Sequence, residues 1–418
     1  MRLTHLSITN FKNYARLQLD LTPGTTVVHG ENAQGKTGFL EAIYYLSTVR
    51  AIGPQTDAQL INWVAQQSIP AYARLSARVQ RVTPPLGLQQ FELVISQEPL
   101  LNGGSMRTRK SLKVNGASQR TFDWVGKLPV VLFVPADLEL VTGTPSERRR
   151  YLDNLIAQMD TRYAEALQLY GRVLQQRNQH LRQLQERGGA GESVHMWDDQ
   201  LVTHGTTMML RRQDVMTQLD QLVQTIHPQL TGGRERLRLL YRPNLEVGQR
   251  VDYQLPLSLG ADFSATFHQP QYDGAEVSAH FYKQLRRAEA RELAQGVTLA
   301  GPHRDDLRFL VDGIDMNIYG SRGQQRSTAL ALKLAEIELL HQHSGEQPIL
   351  LLDDVLSELD EKRRQYLMRR VDAHEQTFLT TTDLAEYANQ FTRPVQLLHV
   401  HEGIMRRDEA NEPLLTKT

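Results

Sequence analysis

Near the start of the chain apolar and polar positions alternate. Leu17, Leu19 and Leu21 interleave with Arg16, Gln18 and Asp20, the two-residue period of a strand with one buried face. Pro23-Gly24 marks a turn, and the β-branched run Thr25-Thr26-Val27-Val28 predicts a strand that ends at Gly30. Leu40, Ile43, Tyr44 and Leu46 then recur at helical spacing, so residues 25–48 read as strand, glycine loop and helix. Between 70 and 135 the pattern is β-rich, with strands expected over 71–79, 93–95, 112–114 and 130–134. Gly103-Gly104 and Asn115-Gly116 are hairpin signals within that stretch.

The texture changes at Thr144-Pro-Ser-Glu147, which reads as a helix start: a threonine cap, proline at the first helical position, and glutamate three residues after the cap. Apolar positions from Leu152 to Leu184 keep helical spacing, which predicts one helix of about 35 residues, roughly 50 Å at the standard rise. Gly188-Gly189-Ala-Gly191 breaks it, and a second helical stretch from Met196 to Ile226 is expected to stop before Pro228. Two long helices joined by a glycine turn make either a projecting arm or a plain helical bundle. No heptad register persists, so a long coiled coil is not expected. Further on come a strand at 237–241, a polar stretch near 246–275, an arginine-rich amphipathic helix over 281–293, and a helix from 324. Ile349-Leu-Leu-Leu352 is a fully apolar strand of the kind buried in parallel sheets, and 377–380 looks like another.

Composition narrows the chemistry. The chain of 418 residues holds no cysteine, which excludes a disulfide scaffold, a thiolate zinc site and a cysteine nucleophile. Neither a signal peptide nor a membrane span is legible, so a cytoplasmic protein without membrane contact is expected. Lysine plus arginine and aspartate plus glutamate both count 47, so the formal charge is zero. That sum conceals a gradient: residues 101–150 carry nine basic against four acidic side chains, and residues 335–386 five against twelve. Arg107, Arg109, Lys110 and Lys113, with Arg148, Arg149 and Arg150, therefore suit DNA phosphate contacts; a solvated basic face, or pairing with carboxylates, is the alternative.

Three motifs carry chemistry. Gly30-Glu31-Asn32-Ala33-Gln34-Gly35-Lys36-Thr37 matches the phosphate-binding P-loop. Its glycines let backbone N–H groups point inward as an anion nest, and the following helix offers its positive end. Lys36 would reach the β- and γ-phosphates of ATP, and the Thr37 hydroxyl would ligate Mg2+. The apolar strand 349–352 ends in Asp353 and Asp354, a Walker B arrangement. Asp353 would hold Mg2+ through water, and Asp354 would sit as the catalytic base orienting the attacking water. Ser321, Gly323 and Gln324 open a helix and resemble the signature motif of ABC-type ATPases, which binds nucleotide held by the opposite subunit and so makes ATP the glue of a dimer. Asp360 falls where the D-loop of that superfamily lies.

Taken together these motifs resemble the RecF family, bacterial repair ATPases related to the SMC heads. The likeness is carried by Asn10-Phe-Lys-Asn-Tyr14, the P-loop with 40–44, Phe133-Val-Pro-Ala-Asp137, Arg148-Arg-Arg-Tyr-Leu-Asp153, Gly301-Pro-His-Arg-Asp-Asp-Leu307, the signature, and the run 350–360. It implies an α/β fold: an ABC/SMC-type P-loop ATPase head with a helical arm inserted. The expected domains are 1–143 and 297–418 for the two parts of the head and 144–296 for the arm. It also implies nucleotide contacts from Lys12 and Asn13. The implied function is ATP-dependent DNA binding in recombinational repair, with weak DNA-stimulated hydrolysis and an ATP-dependent homodimer. RecO and RecR would be partners, RecA would be served indirectly, and the DNA would be duplex, gapped or single-stranded. Three departures stand out: no glutamine at the Q-loop around Asp137, Thr380-Thr-Thr382 in place of a sensor histidine, and Asp354 in place of glutamate. The alternative is the ATPase subunit of an ABC transporter, but Thr37 and Ser321 lie 284 residues apart, far more than those subunits place between the motifs. A P-loop metabolic kinase would need neither the signature nor the D-loop.

Overall fold

The computed structural model describes residues 1–84, 86–99, 106–187, 194–245, 271–384 and 391–409. The glycine signals at 103–104 and 188–191 and the polar stretch up to residue 270 lie outside the described residues. The chain divides into two compact units, Met1–Asp137 with Leu340–Thr418, and Leu138–Leu339. These bounds differ from the expected 143/144 and 296/297. The later difference has a clear cause: β9 (Leu237–Arg242) pairs along its whole length with β10 (Asp306–Val311), which keeps residues beyond 297 with the helical unit.

In the first unit an antiparallel sheet runs β2-β1-β4-β5-β6-β7. Its strands are β1 (Arg2–Phe11), β2 (Tyr14–Asp20), β4 (Ala71–Arg81), β5 (Gly87–Pro99), β6 (Met106–Val114) and β7 (Ala117–Ser118). A second sheet runs β15-β14-β3-β13-β12-β8. It contains β3 (Gly24–His29), β8 (Val130–Phe133), β12 (Ile349–Asp353), β13 (Gln376–Thr381), β14 (Val395–His401) and β15 (Ile404–Arg407), parallel except for the β15 edge. Helix α1 (Lys36–Thr48) packs against both sheets. Its Phe39, Leu40, Ile43 and Leu46 join Leu6, Ile8, Leu75, Phe91 and Leu93 of one sheet and Ile349, Leu351 and Phe378 of the other in one buried cluster. A helix apolar on both sides is what a position between two sheets requires. Short α2 (Thr121–Trp124) seats the buried Trp124, whose indole N–H donates to the Leu46 carbonyl at 2.6 Å. Helix α9 (Glu361–Asp372) completes this unit.

The second unit holds α3 (Pro145–Met159), α4 (Thr161–Arg187), α5 (Asp198–Thr231) and α6 (Gly274–Gln295). It also holds β9-β10-β11, with β11 at Ile314–Asp315, short α7 (Met316–Tyr319), and most of α8 (Arg322–Ser344). The single helix expected after Thr144 is two helices. Asp160 is extended, and its carboxylate accepts from the N–H groups of Arg162 and Tyr163, so it caps a new helix while the apolar spacing continues through the break. Helix α5 does not stop before Pro228. It runs on to Thr231, and Gly232 at φ 74° ends it with its N–H on the Pro228 carbonyl.

A buried polar network organises this unit. Fully buried Arg212 donates to Asp153 at 2.7 Å and to Asp305 at 2.8 Å. Asp305 also accepts from the Tyr241 hydroxyl and the Asn244 N–H. His303 contacts the Tyr170 hydroxyl and the Thr298 carbonyl, and burial pushes it down to about 4, so it is neutral at pH 7. The segment 301–306 is therefore a structural corner of the helical unit.

Candidate functional site

β3 ends at His29, and the chain then turns through Gly30–Gly35 into α1, so the expected strand, loop and helix are present. Gly30 sits at φ 151°, where an added Cβ would lie 2.4 Å from the Val400 carbonyl oxygen. Only glycine fits that approach. Gly35 at φ 122° is clamped from the other side, its carbonyl accepting from the buried Tyr14 hydroxyl at 2.9 Å. The hairpin between β14 and β15 braces the loop: the Gln34 side chain accepts from the Glu402 N–H at 2.6 Å, and its carbonyl from the Gly403 N–H at 3.0 Å. Glu31, Asn32 and Ala33 are exposed at the crest.

Lys36 is buried at the base of the loop, its ammonium donating to the carbonyls of Gly30 at 2.7 Å and Glu31 at 2.8 Å. Burial lowers its pKa, while Asp354 and Asp353 pull it back up. Parallel pairing puts Asp353, the last residue of β12, directly beside Thr380 of β13. The Asp353 Oδ1 atom accepts from the Thr37 hydroxyl at 3.1 Å and from the Thr380 hydroxyl at 2.8 Å. The same Thr380 oxygen accepts the Asp354 N–H at 3.0 Å, and Asp354 itself lies at φ 52°. Lys36, Thr37, Asp353 and Asp354 thus meet at the carboxyl ends of parallel strands, where open α/β sheets hold ligands. A hydroxyl beside a carboxylate is a hard-oxygen set that suits Mg2+.

Lys12 is paired with the buried Glu41 of α1, so its ammonium is engaged there. Asn13 lies against the start of α1, its Oδ1 3.0 Å from where a Cβ on Gly38 would stand. A cleft of about 470 Å3 adjoins this turn, lined among others by Asn10, Asn13, Asn62, Trp63, Val64 and Tyr72. Asn62 fastens its far wall by donating to the Lys12 carbonyl and taking its own N–H to the Asn10 carbonyl. The sequence gives Tyr14 only as part of a motif without a role, and Asn62 and Trp63 of this wall carry no signal at all. Thr380 shows in the sequence only as a threonine where a histidine is expected, and Trp63 lies in an irregular turn without a motif.

Asp360 lies outside the P-loop cluster: it caps α9, accepting from the Arg363 N–H and pairing with that guanidinium. In the second unit Ser321 and Gln324 form a reciprocal cap at the start of α8. The Ser321 hydroxyl accepts from the Gln324 N–H at 3.3 Å, and the Gln324 side chain accepts from the Ser321 N–H at 3.0 Å. Gln324 also donates to Glu235. Gly323 lies within the first turn of that helix.

The basic candidates separate. Arg148 is 2% exposed and forms a bidentate pair with Asp306, and its remaining nitrogen donates to the Gly143 carbonyl. It is a structural residue, which corrects its reading as a DNA contact. Arg149 is half-buried and donates to the Asp305 carbonyl at 2.6 Å, while Arg150 is exposed. Lys110 is paired with Asp57 at 2.9 Å, opposite Ile95 and so on the inner face of β6. Arg107, Arg109 and Lys113 alternate with it on the outer face. No group of three or more metal-ligating side chains occurs among the described residues, and none of their helices is long and apolar enough to cross a membrane.

A strand, phosphate loop and helix beside an acid-ended strand of a parallel sheet define a P-loop ATPase head. The family model described as the RecF/RecN/SMC N terminal domain matches residues 2–406. The DNA replication and repair protein RecF of Herpetosiphon aurantiacus is 39% identical over 97% of this chain and 99% of its own length. That of Bacillus subtilis is 37% identical over 97% of this chain and all of its own. A solved structure titled as the recombination mediator protein RecF-ATP in the RecFOR pathway superposes with a TM-score of 0.80 at 27% identity, covering 97% of each chain. The chain belongs to the RecF family.

Proposed function

We propose that this protein is an ATP-gated DNA-binding protein of recombinational repair in the cytoplasm. ATP with Mg2+ closes two copies into a dimer on gapped, single-stranded or duplex DNA, and slow, DNA-stimulated hydrolysis releases it. RecO and RecR are the proposed partners, and RecA is the recombinase that gains access to gaps and stalled forks. The observation that carries this reading is the convergence of the Thr37 and Thr380 hydroxyls on Asp353 beneath a braced P-loop. The end-to-end likeness to RecF proteins favours it over a transporter ATPase.

In this reading Lys36 exchanges its two loop carbonyls for β- and γ-phosphate oxygens, and the loop from Gly30 to Gly35 wraps the phosphates with backbone N–H groups. Thr37 and, through water, Asp353 would hold Mg2+, which would offset the charge of the phosphates. Asp354 accepts the proton of the attacking water as its oxygen bonds to the γ-phosphorus, and the bond to the β–γ bridging oxygen breaks to leave ADP. Aspartate reaches less far than glutamate by one methylene, which suits a timer more than a motor. The adenine ring occupies the cleft against Asn13 and the 71% exposed Trp63, a planar partner for a planar base. Ser321 and Gly323 of one copy meet the γ-phosphate held by the other, with Asp360 beside them in the same interface.

A titration of labelled gapped DNA tests the reading. Affinity is expected to be higher with ATP than with ADP, and Lys36→Ala is expected to abolish the difference. Equal affinity with both nucleotides would contradict it.

A further inference from the structure

The register of the antiparallel sheet gathers charges that are far apart in sequence. Its inner face is the buried side of Leu6, Ile8, Leu75, Phe91, Leu93 and Leu112. Its outer face follows from the pairings. One row runs Arg16 (β2), Thr9 (β1), Arg74 (β4), Val94 (β5), Ser111 (β6). The next runs Gln18, Ser7, Ser76, Glu92, Lys113. A third passes through Asp20, His5, Arg78 and Gln90, and Arg109 and Arg107 follow on β6 opposite Ser96 and Glu98.

The face therefore presents Arg16, Arg74, Arg78, Arg107, Arg109 and Lys113 against the carboxylates Asp20, Glu92 and Glu98. Arg74 is paired with Glu92, Arg109 with Glu98 at 3.6 Å, and His5 with Asp20 at 2.7 Å. That leaves Arg16, Arg78, Arg107 and Lys113 with no ion pair among the described residues. The first three are exposed and Lys113 is half-buried. Between them stand mostly short serines and threonines, which keep the plane flat and offer hydroxyl donors.

We infer that this outer face is the surface that receives the phosphodiester backbone of duplex DNA. The inference rests on the DNA partner proposed above and names the surface that meets it. Four strand spacings from β2 to β6 span about 19 Å. The unpaired cations near the two edges of the face can therefore meet phosphates on both rims of one groove, about 12 Å wide for the major groove. Guanidinium, ammonium and hydroxyl groups on a rigid sheet position a backbone without reading bases. Cations clustered on one face, in a chain whose formal charge is zero, are the electrostatic footprint of such a ligand.

The test is a fluorescence titration of a labelled duplex at several salt concentrations with saturating ATP. The subject is the full chain with Arg16→Gln, Arg78→Gln, Arg107→Gln and Lys113→Gln combined. A control carries the same charge loss on helices of the other unit: Arg162→Gln, Arg172→Gln, Arg286→Gln and Arg291→Gln. The sheet variant is expected to bind about 100-fold more weakly, with a salt dependence shallower by about 3 logarithmic units per decade. The control is expected to lose little, and ATP affinity is expected to stay unchanged in both. The pair Arg107→Gln with Lys113→Gln, confined to one strand, is expected to take about half of that slope and serves if the fourfold variant folds poorly. Wild-type protein that binds no DNA would sink the proposed function itself. Wild-type binding that the sheet variants retain, or that the control loses equally, would overturn this face while leaving that function standing.

Discussion

Thr380 joins two acidic positions through a single hydroxyl. It donates to the Asp353 carboxylate and accepts the Asp354 N–H, so one buried oxygen fixes the side chain of one aspartate and the backbone of the next. Val in its place keeps the shape, frees the Asp353 oxygen to rotate and strands a backbone donor. Thr380→Val is expected to lower the rate of ATP hydrolysis by about 10-fold or more, the usual scale for losing a group that orients a ligand. Nucleotide affinity is expected to change little, and Thr380→Ser is expected to restore the rate. Steady-state hydrolysis beside a nucleotide-binding titration separates these effects, and a Val variant with normal turnover would remove Thr380 from the site. Lys36, Thr37 and Asp353 were legible in the sequence because motif spacing encodes a local turn. Thr380 was not, because its partner is set by the alignment of β13 with β12, and a single sequence does not display strand register.

At the scale of elements, α3 shows how a basic run can mislead. Three consecutive arginines on a helix point in three directions, 100° apart, so they cannot share one role. Arg148 faces inward to Asp306, Arg149 lies half-buried against Asp305, and Arg150 faces solvent. Arg148→Ala leaves the Asp306 carboxylate without its bidentate partner and is expected to cost about 3 kcal/mol of stability, with duplex affinity unchanged for the protein that remains folded. A urea melt and a DNA titration on the same sample check this; a stable variant with weakened DNA binding would return Arg148 to the DNA surface. The same logic divides β6, where alternation sends Lys110 to Asp57 and Arg107, Arg109 and Lys113 to the outer face. The capping box at Thr144 and the strand–loop–helix of the P-loop were readable because short-range hydrogen bonds write themselves in spacing. The break at Asp160 is invisible to apolar periodicity, which passes through it undisturbed, and α5 runs past Pro228 although proline gives up a backbone hydrogen bond there, ending only at the left-handed Gly232.

At the scale of the whole molecule, the chain keeps its P-loop and its signature in different compact units, and the signature serine caps its own helix. A serine so placed can hold a γ-phosphate through its hydroxyl and the helix N-terminus. In the function proposed above that phosphate belongs to nucleotide held by a second copy, which would make nucleotide the link between two chains. Light-scattering mass of the Asp354→Asn variant, in which hydrolysis is expected to be blocked, measures this directly at saturating ATP and Mg2+. The expected result is the mass of a dimer that reverts to monomer with ADP, and that Lys36→Ala or Ser321→Arg abolishes. A mass that stays that of one 47.6 kDa chain under saturating ATP would contradict the account.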